Sequence, residues 1–269
     1  MNTSRALRRT VLALSLSLAA AAASAQAQQS TKPFEPSVGQ QGKDVVWVPT
    51  SQALVNKMLD IANVTAADVV IDLGSGDGRT VIAAAKRGAR ATGVEFNPEM
   101  AELSRQSIAK EAVGSRASII QGDLFEADLS EATVVTMFLL PSINLKLRPK
   151  ILDLEPGTRI VSNTFTMEKW EADETATITD GCTSWCTALL WYVPARVEGN
   201  WSFAQSQLSL TQQFQMVSGT AGSTPISNGR LRGDRITFRA GSTEYTGRVD
   251  GNTMQGTTSR GGTWTAERQ

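Results

Sequence analysis

The 269-residue sequence predicts an α/β fold, a sheet with helices on both faces, followed by a small antiparallel β domain. Three observations predict it. Val69-Val70-Ile71 is a β-branched apolar run that stops in the glycine-dense turn Asp72-Leu73-Gly74-Ser75-Gly76-Asp77-Gly78-Arg79, and residues 80–86 behind it have an apolar, alanine-rich helical pattern. Short apolar runs at 91–95, 117–121, 132–138 and 159–163 then recur with helical stretches between several of them. After Pro194 the helix formers give way to Gly, Thr, Ser and Gln in short alternating segments.

The turn comes first because strand, glycine loop and helix bring backbone amides up to a small ligand. Dinucleotide folds space their glycines G-x-G-x-x-G and seat a pyrophosphate on the helix N-terminus. Here the glycines are Gly74, Gly76 and Gly78, with Asp72 before them and Asp77 among them. Two carboxylates repel phosphate but suit an ammonium group, and S-adenosylmethionine carries an ammonium and a sulfonium. G-x-G-x-G taken alone is equally an ordinary tight βα turn.

The next strands add two more acids. Residues 91–95 end in Glu95, where a carboxylate at a strand tip can accept both ribose hydroxyls. Residues 117–121 are followed by Gly122-Asp123-Leu124-Phe125, where Asp123 can accept an adenine amino group and Leu124 or Phe125 can cover a ring face. Each acid alone would be an ordinary solvated loop residue. Three acids at three successive strand ends point to one nucleoside site.

These motifs resemble the class I S-adenosylmethionine-dependent methyltransferases, and within them the group of the ATP synthase c-subunit lysine methyltransferase and its bacterial relatives. The resemblance rests on Val48-Pro49-Thr50, DLGSGDGR from Asp72, Gly93-Val94-Glu95-Phe96-Asn97-Pro98, Gly122-Asp123-Leu124-Phe125, Leu139-Leu140-Pro141 and Leu147-Arg148-Pro149-Lys150. It spans roughly residues 40–200. It implies a Rossmann-like seven-strand methyltransferase sheet, with S-adenosylmethionine held by Val48, Pro49, Thr50, Asp72, Gly74, Ser75, Gly76, Gly78, Glu95, Phe96, Asn97, Asp123 and Leu124.

Residues 1–27 read as a signal peptide. Arg5, Arg8 and Arg9 precede an uncharged apolar run over 11–23, too short for the about 20 residues a bilayer span needs. Two small-residue cleavage sites follow, Ala23-Ser24-Ala25 and Ala25-Gln26-Ala27. A periplasmic or secreted location follows, by the general or the twin-arginine route, with a mitochondrial presequence as the alternative. Cleavage takes three arginines from 26 basic residues and none from 26 acidic ones, leaving a net charge of −3. That surface excludes a general nucleic-acid binder. No stable membrane span is expected after cleavage.

Residues 28–43 form a polar linker with Pro33 and Pro36, and 44–195 the catalytic domain. Residues 44–50 arrive extended, Thr50 or Ser51 caps a helix over 52–61 with Leu54, Met58 and Ile61 on one face, and Asn97-Pro98 opens a helix over 98–111. Its inner side carries Met100, Leu103, Ser104 and Ile108. A fourth strand over 132–138 exits through Leu139-Leu140-Pro141, and a helix over 143–154 precedes the fifth strand. Class I enzymes commonly hold the acceptor at that exit. Many that methylate amides and amines carry Asn or Asp, Pro, Pro and an aromatic there, and this chain does not. Thr136, Phe138 and Pro141 stand in their place, and an apolar slot suits a long alkyl amine because burial favours the neutral form that attacks. A core strand with a structural proline explains the same residues.

Residues 175–179 and 188–193 read as an antiparallel hairpin completing the sheet. Between them Cys182 and Cys186 suit a disulfide in an exported chain. With two thiols and no histidine in the chain, a zinc site is not expected. In residues 196–269, strands are expected at 207–216, 236–240, 244–249, 253–258 and 263–267. Turns are expected at Asn228-Gly229, Gly233-Asp234, Asp250-Gly251 and Gly261-Gly262. Residues 229–236 are echoed by 247–254, as in a repeated hairpin. The function so read is methylation of a protein lysine or another amine; the alternative is an exported non-catalytic binding protein that captures a partner through its β domain.

Overall fold

The computed structural model describes residues 34–204 and 206–269. The expected signal peptide lies outside the described residues, as does the first part of the linker.

The first domain is a seven-stranded sheet in the order β3-β2-β1-β4-β5-β7-β6. Its strands are β1 (Val69–Leu73), β2 (Arg90–Glu95), β3 (Ala117–Gln121), β4 (Val134–Met137), β5 (Arg159–Asn163), β6 (Glu174–Thr177) and β7 (Thr187–Tyr192). The first five are parallel, and β7 runs antiparallel between β5 and β6. Helices α1 (Gln52–Ile61), α2 (Arg79–Lys86) and α3 (Pro98–Lys110) cover one face. Their Leu54, Val81 and Ala101 pack with Val70, Val134, Val161 and Leu190 of the strands. Helix α4 (Pro141–Leu152) and the segments carrying Leu129 and Trp170 cover the other, over Ile71, Val135, Ile160 and Trp191. Alternate strand residues feed the two cores, as a sheet buried on both sides requires.

Local chemistry sets the helix starts. Ser51 Oγ accepts from Leu54 N at 3.2 Å, so Ser51 rather than Thr50 caps α1. Asn97 Oδ1 accepts from Glu99 N and Met100 N, with Pro98 in the first turn of α3. Leu103, expected on the inner side of α3, is half-buried, and Ala101 takes the fully buried place. Helix α4 starts two residues before the expected 143 because Pro141 opens it.

The last eight strands close into an antiparallel barrel, ordered β10-β11-β12-β13-β14-β15-β8-β9. They are β8 (Gly199–Phe203), β9 (Ser206–Gln213), β10 (Met216–Ala221), β11 (Thr224–Arg232), β12 (Arg235–Ala240), β13 (Thr243–Asp250), β14 (Thr253–Thr258) and β15 (Thr263–Arg268). The strand expected over 207–216 is two, because the chain reverses at Phe214 and Gln215. Asn228-Gly229 is not a turn. It is a β-bulge inside β11, with Asn228 at φ 52° and the register shifting between Ser227 and Arg230. A side chain at Gly229 would strike Val217 O at 2.2 Å, which is why glycine stands there. The internal repeat is two successive hairpins, β11–β12 and β13–β14, each placing an apolar pair inside: Leu231 with Ile236, and Val249 with Met254. Phe238 stacks on Tyr245 at 4.8 Å while Trp264 meets Phe238 edge-on at 5.7 Å, so packed aromatics occupy the interior.

Pro36–Gln269 forms one compact unit, with the barrel docked on the seven-stranded domain. Phe214 stacks on Trp170 at 6.0 Å, and the Arg148 guanidinium lies 5.2 Å from the Phe214 ring centroid. Gln215 Nε2 donates to Glu171 O at 2.8 Å, and Arg230 pairs with the buried Asp173 at 2.7 Å. These contacts, with Ala195 N donating to Gly233 O, gather near the amino ends of β5 and β6, opposite the glycine loop. Replacing Phe214 with Ala should lower the unfolding free energy by about 2 kcal/mol in a urea titration. An unchanged midpoint would show that the stacking does not hold the barrel.

Candidate functional site

The carboxyl ends of β1, β2 and β4 open into a hollow of about 270 Å³. Asp72, Glu95 and Asp123 all line it. This is the convergence expected from acids at three strand ends, because parallel strands present their carboxyl ends on one edge of the sheet.

Asp72 sits at the base, 6% exposed. Thr136 lies beside it in the β1–β4 register, and its hydroxyl donates to Asp72 Oδ1 at 2.6 Å. Burial pushes the Asp72 carboxyl up to about 7, opposed by the Thr136 hydrogen bond and reinforced by the negative charges of Asp77 and Glu95. Glu95 takes Gly76 N on Oε2 at 2.8 Å and Asn97 N on Oε1 at 2.9 Å. Burial raises its pKa, against these backbone donors. Asp123 pairs with Lys43 at 2.5 Å and accepts from Phe125 N at 2.9 Å; both hold its pKa below the usual range, the lysine foremost.

The glycine loop departs from phosphate cradles in a specific way. Asp77 Oδ1 accepts from Arg79 N at 3.2 Å, so the helix amino end already carries a carboxylate. Asp77 is also paired with the Arg79 guanidinium, whose Nη1 donates to Thr50 O at 2.7 Å. The loop is thereby tied to the Val48-Pro49-Thr50 corner, and Asp77 is spent on Arg79 rather than left for a ligand. Gly76 is required because Trp47 packs on it: a Cβ would lie 2.6 Å from the indole nitrogen.

Most of the expected site residues line the hollow: Val48, Pro49, Thr50, Gly74, Ser75, Gly76, Phe96, Asn97 and Leu124 join the three acids. Gly78 does not. It sits at φ 80° against α3, where a Cβ would meet Ser104 Oγ at 2.0 Å, so its role is packing the loop on the helix. Among the residues expected at the acceptor end, Phe138 alone lines the hollow. Thr136 is fully buried with its hydroxyl turned to Asp72, and Pro141 is exposed at the first turn of α4. Thr136 positions Asp72 and does not face an acceptor.

Four further residues of the hollow lie outside the sequence motifs. Lys43 lies 5.0 Å from the Phe96 ring centroid as well as on Asp123, at the tip of a clip closed by the Gln41–Val46 bridge. Trp47 continues that clip. Phe165 follows the fifth strand, and Trp185 stands inside the Cys182–Cys186 disulfide loop; both pack on Phe138, at 5.8 Å and 6.0 Å. Trp47 and Trp185 sit next to features the sequence does flag, the Val48-Pro49-Thr50 corner and the cysteine pair. Nothing local marks Phe165.

The donor set suits a cationic nucleoside. A deep carboxyl at Asp72 and a second at Glu95 line one space, and the helix end beside it already carries the Asp77 carboxylate. Together the sheet order and this site define a class I methyltransferase. Residues 72–174 match the ANTKMT methyltransferase domain model. A protein-lysine N-methyltransferase of Saccharolobus islandicus (strain REY15A) is 48% identical over 140 residues, 51% of this chain and 87% of the relative. The human ATP synthase c-subunit lysine N-methyltransferase is 37% identical over 105 residues, 39% of this chain and 45% of that protein, so under half of that enzyme is spanned. An RNA methyltransferase from Salinibacter ruber, solved with S-adenosyl-L-homocysteine, superposes with a TM-score of 0.52 at 44% identity, over 56% of this chain and 96% of that one. The chain belongs to the S-adenosylmethionine-dependent methyltransferases, with an ANTKMT-type domain over residues 72–174. Its cofactor is S-adenosylmethionine.

The Asp72 carboxyl makes stability depend on pH. With the folded value near 7 against 3.8 for a free aspartate, its contribution is full below pH 4 and is lost as pH rises through 7. Unfolding free energy of the cofactor-free protein should carry a downward slope of at most about 1.4 kcal/mol per pH unit across that window. Asp72→Asn should remove that slope; an identical slope in the variant contradicts the assignment.

Proposed function

We propose that this chain methylates the ε-amine of a protein lysine, in an exported compartment, with S-adenosylmethionine held by the three-acid hollow. The observation that carries the reading is the apolar end of that hollow. Beyond Asp72 the wall is Phe138, Phe165, Leu139, Leu140, Ile143 and Trp185. At the end of β5 the Asn163 amide is already engaged: its Nδ2 donates to Thr50 Oγ1 at 3.2 Å, and its Oδ1 accepts from Thr164 Oγ1 at 2.9 Å. A wall made chiefly of aromatic and aliphatic side chains suits an alkyl stem better than the edge of a nucleobase, which would need several hydrogen-bonding partners. The lysine-methylating relatives support the same choice over the RNA-methylating structure.

In this reading Asp72 and the Gly74–Gly76 turn take the amino-acid end, Glu95 the ribose, and Asp123 with Leu124 the adenine. S-adenosylmethionine supplies a methyl group on a positively charged sulfur. The chain contributes orientation and exclusion of water, the main needs of an in-line displacement. The apolar wall disfavours the ammonium form of the lysine and so favours the neutral nucleophile. With no histidine in the sequence, the amine loses its proton to water or a carboxylate before attack. The export reading rests on the arginine-led apolar segment over 1–27, and the Cys182–Cys186 disulfide supports an oxidising compartment.

Calorimetric titration of the purified mature chain should show S-adenosylmethionine binding, weakened at least tenfold by Glu95→Ala and by Asp72→Ala; unaltered affinity in both variants contradicts the placement. Incubation with methyl-tritiated cofactor, lysine-bearing protein and RNA should place the label in methyl-lysine after hydrolysis. Label in the RNA bases alone would contradict the lysine reading.

A further inference from the structure

We infer that the Cys182–Cys186 loop is a built part of the acceptor site: the disulfide holds Trp185 as the third wall of a lysine channel whose other walls are Phe138 and Phe165. The inference rests on the lysine reading above and concerns how the acceptor is held.

Trp185 is 43% exposed, unusual for so large an apolar side chain with no element of its own to pack into. Its backbone is at φ 52°, a left-handed conformation that bulky residues seldom adopt. The covalent clip of five residues holds that backbone between β6 and β7. The indole is aimed at Phe138, 6.0 Å away and tilted by 59°, while Phe138 stacks on Phe165 at 5.8 Å and 17°. Three rings from three separate segments thus make one apolar face, and all three line the same hollow as Asp72. Continuity with the cofactor site fixes the occupant: a group lying on this face is next to the transferable methyl, so it is the acceptor stem. Aromatic faces suit both the methylene chain and the positive charge of a methylated product.

The test uses the full mature chain, poly-L-lysine as acceptor probe and S-adenosyl-L-homocysteine as binding probe. Trp185→Ala should raise the KM for poly-L-lysine at least fivefold, with kcat lowered less and S-adenosyl-L-homocysteine affinity unchanged within twofold. Trp185→Phe should restore most of the KM, and the paired Cys182→Ser, Cys186→Ser variant should raise KM towards that of Trp185→Ala. A KM unchanged in Trp185→Ala, with wild-type activity present, overturns this inference and leaves the lysine reading intact. A wild type that binds S-adenosyl-L-homocysteine but transfers no methyl to lysine amines overturns the lysine reading, and this inference with it. Loss of S-adenosyl-L-homocysteine binding in Trp185→Ala overturns it as well, by placing the indole in the cofactor site.

Discussion

The hydrogen bond from Thr136 to Asp72 across the β1–β4 boundary is the contact around which the site is arranged. A carboxyl buried among apolar strands favours its neutral form, and the hydroxyls of Thr136 and Thr80 are not enough to reverse that. The cofactor-free hollow therefore carries a group poised near neutrality, whose ionised form waits for a positive partner. Glu95 differs: two backbone amides orient it, so it is a fixed acceptor. The sheet order makes this possible, since only the parallel register places Thr136 beside Asp72 and sets Glu95 one strand away.

Much of this is legible in the sequence alone. The β-branched run at 69–71, the glycine spacing and the acids at 72, 95 and 123 all lie within short stretches, and local patterns suffice for them. The acceptor end reads less well. Thr136 and Pro141 occupy the expected sequence place, but side-chain direction decides a role, and the register turns Thr136 towards β1 while Pro141 opens a helix. Phe165 and Trp185 come from segments far apart in sequence, and only the folding of β5 and β7 side by side unites them with Phe138. Barrel closure is equally hidden. Asn228-Gly229 has the composition of a hairpin turn, yet a bulge needs the same positive φ, and sequence cannot separate the two.

The barrel and the catalytic domain meet through specific contacts: stacked Phe214 and Trp170, the buried Gln215 amide, and the Arg230–Asp173 pair. They lie at the opposite end of the sheet from the hollow, and no barrel residue lines it among the described residues. The barrel does not build the chemistry. At the site end the 40–47 clip takes the covering role instead, with Trp47 on Gly76 and Lys43 on Asp123.

Asp72 is, on this account, largely protonated in the free protein near pH 6.5 and ionises when the cofactor ammonium arrives. Titration calorimetry at pH 6.5 in buffers of differing ionisation enthalpy counts the protons exchanged. With a folded value near 7, binding of S-adenosylmethionine should release protons, and the release should fall clearly in Asp72→Asn. Binding with no proton release by the wild type would contradict the account.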